Sequence, residues 1–239
     1  MLSIEYLKDK LEQIQKVTGA YVCIAGGAPR DLLNNKSIND IDCFIQYVYN
    51  DNIAYIINIL QDDLGFITSL LAKPKTEGYA TNHVYEGNHE EHKWQFVFIE
   101  EEKPSDITEF AKDVLNSFDY HLCQIAIRPY TNILLRTEEY ETDVLNKTLT
   151  ANPDIPYKFF QTEKAKARLT KLLKKYPEHR HIPLPEPEHV RQHITPLEFV
   201  PQQLDANEIL RTRRVTRIIE TNDILQPMPQ NFFITNGTT

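Results

Sequence analysis

The chain of 239 residues carries 34 acidic and 26 basic side chains, so its formal net charge is −8. This balance does not favour nucleic-acid binding by the chain as a whole, and such a role requires a local basic patch. No apolar run approaches the roughly 20 residues that span a bilayer, and the first residues lack a signal-peptide core, so we expect no membrane association. The three widely spaced cysteines predict neither disulfides nor a zinc site and favour a reducing, cytoplasmic setting.

Apolar spacing and turn residues predict helices and strands in alternation over the first 150 residues. Helices are predicted at 3–17, 29–33, 52–63, 106–116 and 138–145. Strands are predicted at 21–25, 41–48, 79–85, 93–99, 118–128 and 132–136. A polar turn containing Gly87, Asn88 and His89 is expected to join two of these strands as a hairpin.

The composition changes near residue 150, where prolines become frequent. Helices are predicted at 160–176 and 204–221, on either side of a proline-rich extended segment. We therefore expect a first domain over residues 1–150 and a helical, proline-rich region over residues 151–239.

The segment AGGAPRDLLNNKSINDID carries the chemical signal of this sequence. A buried strand ends in Gly26 and Gly27, which allow close approach of a ligand, and the amides at the start of the next helix suit a phosphate. The following strand opens with Asp40 and Asp42. Because side chains alternate between the two faces of a strand, these two project from the same face. Adjacent carboxylates repel each other unless a cation lies between them, and Mg²⁺ or Mn²⁺ with substrate phosphates suits such a pair. The pattern predicts a triphosphate site beside a metal, as nucleotidyl transfer requires.

The same segment resembles the GG-x-x-RD-x-L…D-x-D motif of tRNA nucleotidyltransferases and bacterial poly(A) polymerases in the DNA polymerase β superfamily. The matching positions are Gly26, Gly27, Arg30, Asp31, Asp40 and Asp42. The resemblance implies an α+β fold with a polymerase β-like palm, whose mixed, mostly antiparallel sheet is flanked by helices. It implies that Asp40 and Asp42 bind the metal and that the other four positions form the nucleotide site. Arg30 then either offers its charge to phosphate or pairs internally with an acid.

A second resemblance lies at Phe118-Asp-Tyr-His-Leu-Cys-Gln-Ile-Ala, which is similar to the family motif R-D-F-T-x-N-A. Asp119 matches the aspartate that contacts the nucleotide sugar in the family, although a solvated aspartate ending a core strand explains it equally well. Phe118 and Cys123 replace the family's arginine and asparagine. Some phage and large-virus relatives look similar here, and a viral member would work in the host cytoplasm.

Most polymerase β-type transferases place a third acid on a neighbouring strand, where it helps to deprotonate the attacking hydroxyl. The equivalent position here is Gln95, which is neither a base nor a charged ligand. Glu86 and Glu100 flank the predicted hairpin, and the sequence does not select between them.

The helix predicted at 160–176 carries a basic stripe formed by Lys164, Arg168, Lys171 and Lys175. Such a stripe either faces solvent or neutralises phosphates of a nucleic acid or a triphosphate. We expect transfer of a nucleotidyl group from an NTP such as ATP to an acceptor, with an RNA 3′ end such as tRNA as the acceptor that the resemblance implies. Alternatives are nucleotidylation of a protein or small molecule, and a non-catalytic member of the fold that binds RNA or a partner protein.

Overall fold

The structure is a computed structural model that describes residues 2–47, 53–72, 83–100, 106–186 and 218–221. The helices in these ranges are α1 (Ile4–Thr18), α2 (Gly27–Leu33), α3 (Ile53–Asp62), α4 (Ile107–Asn116), α5 (Glu138–Asn146), α6 (Tyr157–Phe160) and α7 (Glu163–Lys175). The strands are β1 (Val22–Ala25), β2 (Ile41–Tyr47), β3 (Ile67–Ala72), β4 (His83–His89), β5 (His92–Glu100), β6 (Ile125–Ile127), β7 (Leu134–Thr137), β8 (Thr148–Thr150), β9 (Arg180–Ile182) and β10 (Ile218–Thr221).

Eight strands form one sheet in the order β10-β7-β6-β1-β2-β5-β4-β3. Every pairing in this sheet is antiparallel except that of β2 with β5. A separate two-stranded parallel sheet joins β8 to β9. The expected α+β fold, with a mixed, mostly antiparallel sheet and flanking helices, is confirmed.

Side chains that cap the helix ends fix several boundaries. The Ser3 hydroxyl accepts the Tyr6 amide at 3.1 Å at the start of α1, and Gly19 ends that helix in the left-handed conformation with φ of 69°. Asp106 caps α4 as predicted, because its carboxylate accepts the amides of Thr108 and Glu109 at 2.7 and 2.9 Å. The boundaries of these two helices therefore follow from local chemistry that the sequence displays.

The sheet has a buried apolar cluster on each side. On one side, Leu7 and Leu11 of α1 pack with Ile24 and Ile41 of the sheet, and Tyr176 after α7 belongs to the same cluster. The second cluster is formed by residues of α4, β1, β6 and β7, including Phe110, Val114, Cys23, Ala25, Ala126 and Leu135. The described part of the predicted C-terminal region therefore packs onto the sheet domain.

The predicted hairpin exists, but its turn lies later in the chain than the sequence indicated. Gly87, Asn88 and His89 belong to β4, and the turn is formed by Glu90 and Glu91. Glu90 adopts a φ of 54° there. The β4–β5 ladder continues to the closing pair His89–His92, so those three polar residues are paired rather than looped out. Residues 79–82 of the predicted strand lie outside the described residues.

The strand predicted at 118–128 was wrong over its first half. Residues His121–Cys123 form a 3-10 turn, and only Ile125–Ile127 form a strand. The backbone before the turn is held by Asn152, whose side-chain amide donates to the carbonyls of Asn116 and Phe118 at 3.0 and 2.8 Å. The Asp119 carbonyl also accepts the Asn152 backbone amide, and Tyr120 forms an isolated antiparallel bridge with Ala151. The stretch therefore pairs with a distant segment through single contacts and not through a continuous strand ladder.

The helix predicted at 204–221 was also wrong at its end. Residues Ile218–Thr221 form β10, which pairs antiparallel with β7 at the edge of the sheet. Residues 204–217 lie outside the described residues. None of the helices in the described ranges is long and apolar enough to cross a membrane.

Gly26 is required where β1 turns into α2. Its φ is 80°, and a Cβ placed on it would lie 2.8 Å from Cζ of the Phe118 ring. A Cβ on Gly27 would meet only the Arg30 guanidinium, at 3.8 Å. The first glycine is thus fixed by backbone conformation and by close packing, whereas the second is not.

We predict that Gly26→Ala lowers the free energy of unfolding by about 2–4 kcal/mol, because it adds backbone strain to a clash with an aromatic ring. Gly27→Ala, the matched control, should change it by less than about 1 kcal/mol. Urea unfolding of both variants measures the difference. Equal stabilities of the two variants would contradict the requirement for glycine at position 26.

Candidate active site

The candidate site lies where β1 ends, α2 begins and β2 starts. Ile24 pairs with Cys43 in the antiparallel ladder, so the register brings Ala25 beside Asp42. The Gly26 amide donates to the Ile125 carbonyl at 2.9 Å and is therefore occupied. The first amides of α2, at Gly27 and Ala28, are the donors that a helix start leaves without helical partners.

Asp40 and Asp42 are both partly buried at the start of β2. Burial and the charge of Asp40 raise the pKa of Asp42 to about 7, and the guanidinium groups of Arg168 and Arg30 act in the opposite direction. A carboxyl group with this pKa is protonated in about half of the molecules at neutral pH. The two carboxylates thus interact unfavourably, as the sequence motif predicts for a pair that awaits a cation.

Gln95 of β5 lies directly beside these acids. It pairs with Asp42 in the parallel β2–β5 ladder, and its side-chain amide donates to the Asp40 carboxylate at 3.4 Å. On the other side of β5, in the antiparallel β4–β5 ladder, Gln95 pairs with Glu86 of β4. The Glu86 carboxylate forms an ion pair with Lys93. Glu100 pairs instead with Tyr47, at the opposite end of β5. Of the two acids that the sequence left open, Glu86 is therefore the one in register with the site.

Arg30 and Asp31 form a buried ion pair, which is one of the two roles expected for Arg30. The Asp31 carboxylate accepts Arg30 Nε and Nη2, each at 2.7 Å. Only 4% of Arg30 and 2% of Asp31 are exposed to solvent. Asp31 therefore holds Arg30 in place, and the charge of Arg30 opposes the rise in the pKa of Asp42.

Asp119 is buried on the other side of the site and pairs with Arg168 of α7, with 3.1 Å between its Oδ2 and Nε. Burial raises the pKa of Asp119, and the charges of Arg168 and Lys164 oppose that rise. The Arg168 side chain remains 45% exposed. The fold thus brings the second sequence motif and the basic helix to the same site as Asp42.

The predicted basic stripe divides into two pairs of residues. Arg168 and Lys175 form ion pairs with Asp119 and Asp31 respectively, whereas Lys164 and Lys171 are exposed. Because residues four and three apart share one face of a helix, the exposed pair lies along the same edge of α7 as the two bound side chains.

Sequence reasoning missed Tyr176 and Asn152 as parts of this region. The Tyr176 hydroxyl donates to Asp31 at 2.7 Å, across 145 positions of the chain. Cys123, noted only as a departure from the family motif, accepts from Arg30 Nη1 at 3.1 Å. No local pattern signals contacts between such distant positions.

The donor set at Asp40 and Asp42 suits a hard divalent cation. Carboxylate oxygens are the ligands that Mg²⁺ prefers, and a small number of protein ligands is usual where substrate phosphates complete the shell. Within the described ranges, no cluster of three or more His, Cys, Asp or Glu side chains could hold a metal ion. The two acids and the neutral Gln95 amide lie together at this edge of the sheet.

Solved structures of tRNA-processing enzymes share this fold. One entitled "tRNA-processing enzyme (apo form I)" is 19% identical, with a TM-score of 0.51, over 74% of this chain and 43% of the enzyme. A CCA-adding enzyme in complex with CTP is 14% identical, with a TM-score of 0.53, over 79% of this chain and 41% of the enzyme. The Thermotoga maritima CCA-adding enzyme complexed with tRNA is 14% identical, with a TM-score of 0.53, over 79% of this chain and 40% of the enzyme.

This chain spans about two-fifths of the length of those enzymes. At these identities the similarity shows a shared fold. No curated protein is significantly similar to the chain.

One family model matches well over half of the chain, from residue 3 to residue 147. The matched segment contains the glycine turn, both acids of β2 and Asp119, and it ends before α7. The chain belongs to the Gabija anti-defense 2 (Gad2) family.

Proposed function

We propose that this protein is a metal-dependent nucleotidyltransferase. The observation that carries the proposal is the convergence of Asp40 and Asp42 beside the β1–α2 turn, with burial and mutual repulsion raising the pKa of Asp42 to about 7. The fold shared with tRNA-processing enzymes supports it. Asp40 and Asp42 would hold Mg²⁺ or Mn²⁺, which supplies charge neutralisation for an NTP and its pyrophosphate leaving group.

In the proposed reaction, an acceptor oxygen forms a bond to the α-phosphorus of the NTP while the bond from that phosphorus to the bridging oxygen breaks. Pyrophosphate leaves, and the acceptor proton passes to a base. Glu86 is the candidate base, since it lies one strand beyond Gln95, the position that carries an acid in related transferases. The amides of Gly27 and Ala28, the charge of Arg30, and Asp119 with Arg168 are proposed to hold the nucleotide.

The first candidate acceptor is an RNA 3′ end, such as that of tRNA. The exposed Lys164 and Lys171 beside the site support it, because they would add positive charge along the path of a phosphate backbone. The family description favours a second candidate, since an anti-defence role points to a defence protein, or a small molecule that it uses, as the acceptor.

We predict that Asp42→Asn stabilises the metal-free protein at pH 8 by about 4 kcal/mol and changes its stability by less than about 1 kcal/mol at pH 4. The folded-state pKa of Asp42 is raised from 3.8 to about 7, so the wild-type protein loses stability as the pH rises through this window. Asparagine keeps the neutral form throughout. Mg²⁺ should raise the melting temperature of the wild-type protein at pH 8 but not that of Asp42→Asn.

Thermal and urea unfolding at both pH values measure these effects. Asp63→Asn, which changes an exposed aspartate away from the site, is the matched control. Equal stability of Asp42→Asn and the wild-type protein at pH 8 would show that the surroundings do not raise the pKa of the Asp42 carboxyl group.

We predict that the wild-type protein transfers label from an α-³²P-labelled NTP in the presence of Mg²⁺, and that Asp40→Asn and Asp42→Asn each reduce the rate at least about 100-fold. Each NTP is incubated separately with tRNA, with total RNA and with the proteins of the Gabija system. Label on RNA supports end addition, and label on protein supports nucleotidylation. The Asp63→Asn control should retain the wild-type rate.

If both folded Asn variants still transfer label at the wild-type rate, the proposed role of Asp40 and Asp42 in catalysis is contradicted. Tight RNA binding without transfer by the wild-type protein would favour the non-catalytic alternative.

We predict that Lys164→Ala with Lys171→Ala weakens RNA binding and lowers the slope of log K against log[salt] by about one for each lysine removed. Lys16→Ala with Lys166→Ala, which removes two exposed lysines outside the stripe, is the charge-matched control and should leave the slope unchanged. Filter binding over a series of salt concentrations gives both slopes. The same slope in the two double variants would show that the stripe is an ordinary solvated face.

A further inference from the structure

Four side chains meet where the end of α7 reaches α2, and we call them the Asp31 cluster: Arg30, Asp31, Lys175 and Tyr176. Asp31 is its centre, since its carboxylate accepts from the other three side chains. Lys175 and Tyr176 lie beyond residue 147, where the match to the family model ends. Part of the cluster therefore comes from a segment that the family model does not cover.

Tyr176 holds both members of the buried ion pair at once. Its hydroxyl accepts from Arg30 Nε at 3.1 Å and donates to Asp31 Oδ1 at 2.7 Å. Its ring lies against the guanidinium, 5.1 Å from Arg30 Cζ to the ring centroid. Burial raises the pKa of Tyr176, so the hydroxyl keeps its proton and continues to donate at neutral pH.

The position of Arg30 matters to the rest of the site. Its charge reaches Asp42, and its Nη1 donates to the sulfur of Cys123 at 3.1 Å. Arg168, two turns before Lys175 on α7, lies 4.0 Å from the same sulfur through Nη2 and also pairs with Asp119. Helix α7 therefore carries Arg168, and the residue that follows the helix contacts Arg30; these are the two arginines whose charges act on Asp42.

We infer that Tyr176 is a positioning residue of the site, which fixes the Arg30 guanidinium beside Asp42 through its hydroxyl. The consequence for NTP binding rests on the proposed function, whereas the consequence for Arg30 and Cys123 does not. Losing the hydroxyl removes one hydrogen bond to each member of a buried ion pair, and Arg30 then leaves its position more often.

Tyr176→Phe tests this inference, because it keeps the ring and removes only the hydroxyl. The first measurement is the rate at which N-ethylmaleimide modifies each cysteine of the folded full-length chain, resolved by mass spectrometry. All three cysteines are buried, but only Cys123 accepts from Arg30, so Cys23 and Cys43 report general loosening of the core. Ile14→Val, a mild core substitution in α1, is the control for lost stability.

The expected result for Tyr176→Phe is modification of Cys123 about tenfold faster than in the wild-type protein, with Cys23 and Cys43 unchanged. In the transfer assay, KM for the NTP should rise about tenfold with a smaller change in kcat, and Ile14→Val should change neither. Unchanged Cys123 reactivity, or an equal increase at all three cysteines, would overturn the inference. If the wild-type protein transfers nothing, the proposed function fails while the cysteine measurement still decides the role of Tyr176.

Discussion

The unfavourable proximity of two carboxylates at the start of β2 is the constraint on which the site depends. Asp42 is partly buried beside Asp40, and its pKa rises to about 7 as a result. A fold maintains such an arrangement only if other interactions offset its cost, and a site that is strained without its ligand gains most from binding one. The cation and triphosphate of the proposed reaction would supply that compensation.

The surrounding structure brings positive charge to these acids from two directions. Arg30 approaches from α2, held by Asp31, and Arg168 approaches from α7, held by Asp119. Each arginine is thus oriented by its own acid and still lowers the pKa of Asp42 through space. Because α7 lies beyond the segment matched by the family model, the chemistry of the site depends on more of the chain than its sequence motifs cover.

The sequence predicted the parts of the site that local rules determine. Alternation along a strand placed Asp40 and Asp42 together, and cap residues placed the ends of α1 and α4. It did not predict the contact between Tyr176 and Asp31, which lie 145 positions apart, nor the hold of Asn152 on the backbone before His121. The ladder between β10 and β7 was missed for the same reason, since pairing between distant segments leaves no periodic trace in either of them.

In the proposed reaction, Asp40 and Asp42 jointly bind the cation that accompanies an NTP. Anomalous diffraction from crystals grown with Mn²⁺ and a non-hydrolysable NTP analogue tests this most directly. We expect an Mn²⁺ peak in contact with oxygens of both carboxylates and of the triphosphate, beside the turn at Gly27. A bound nucleotide elsewhere on the chain, or a nucleotide at the turn with no Mn²⁺ between the two acids, would contradict it.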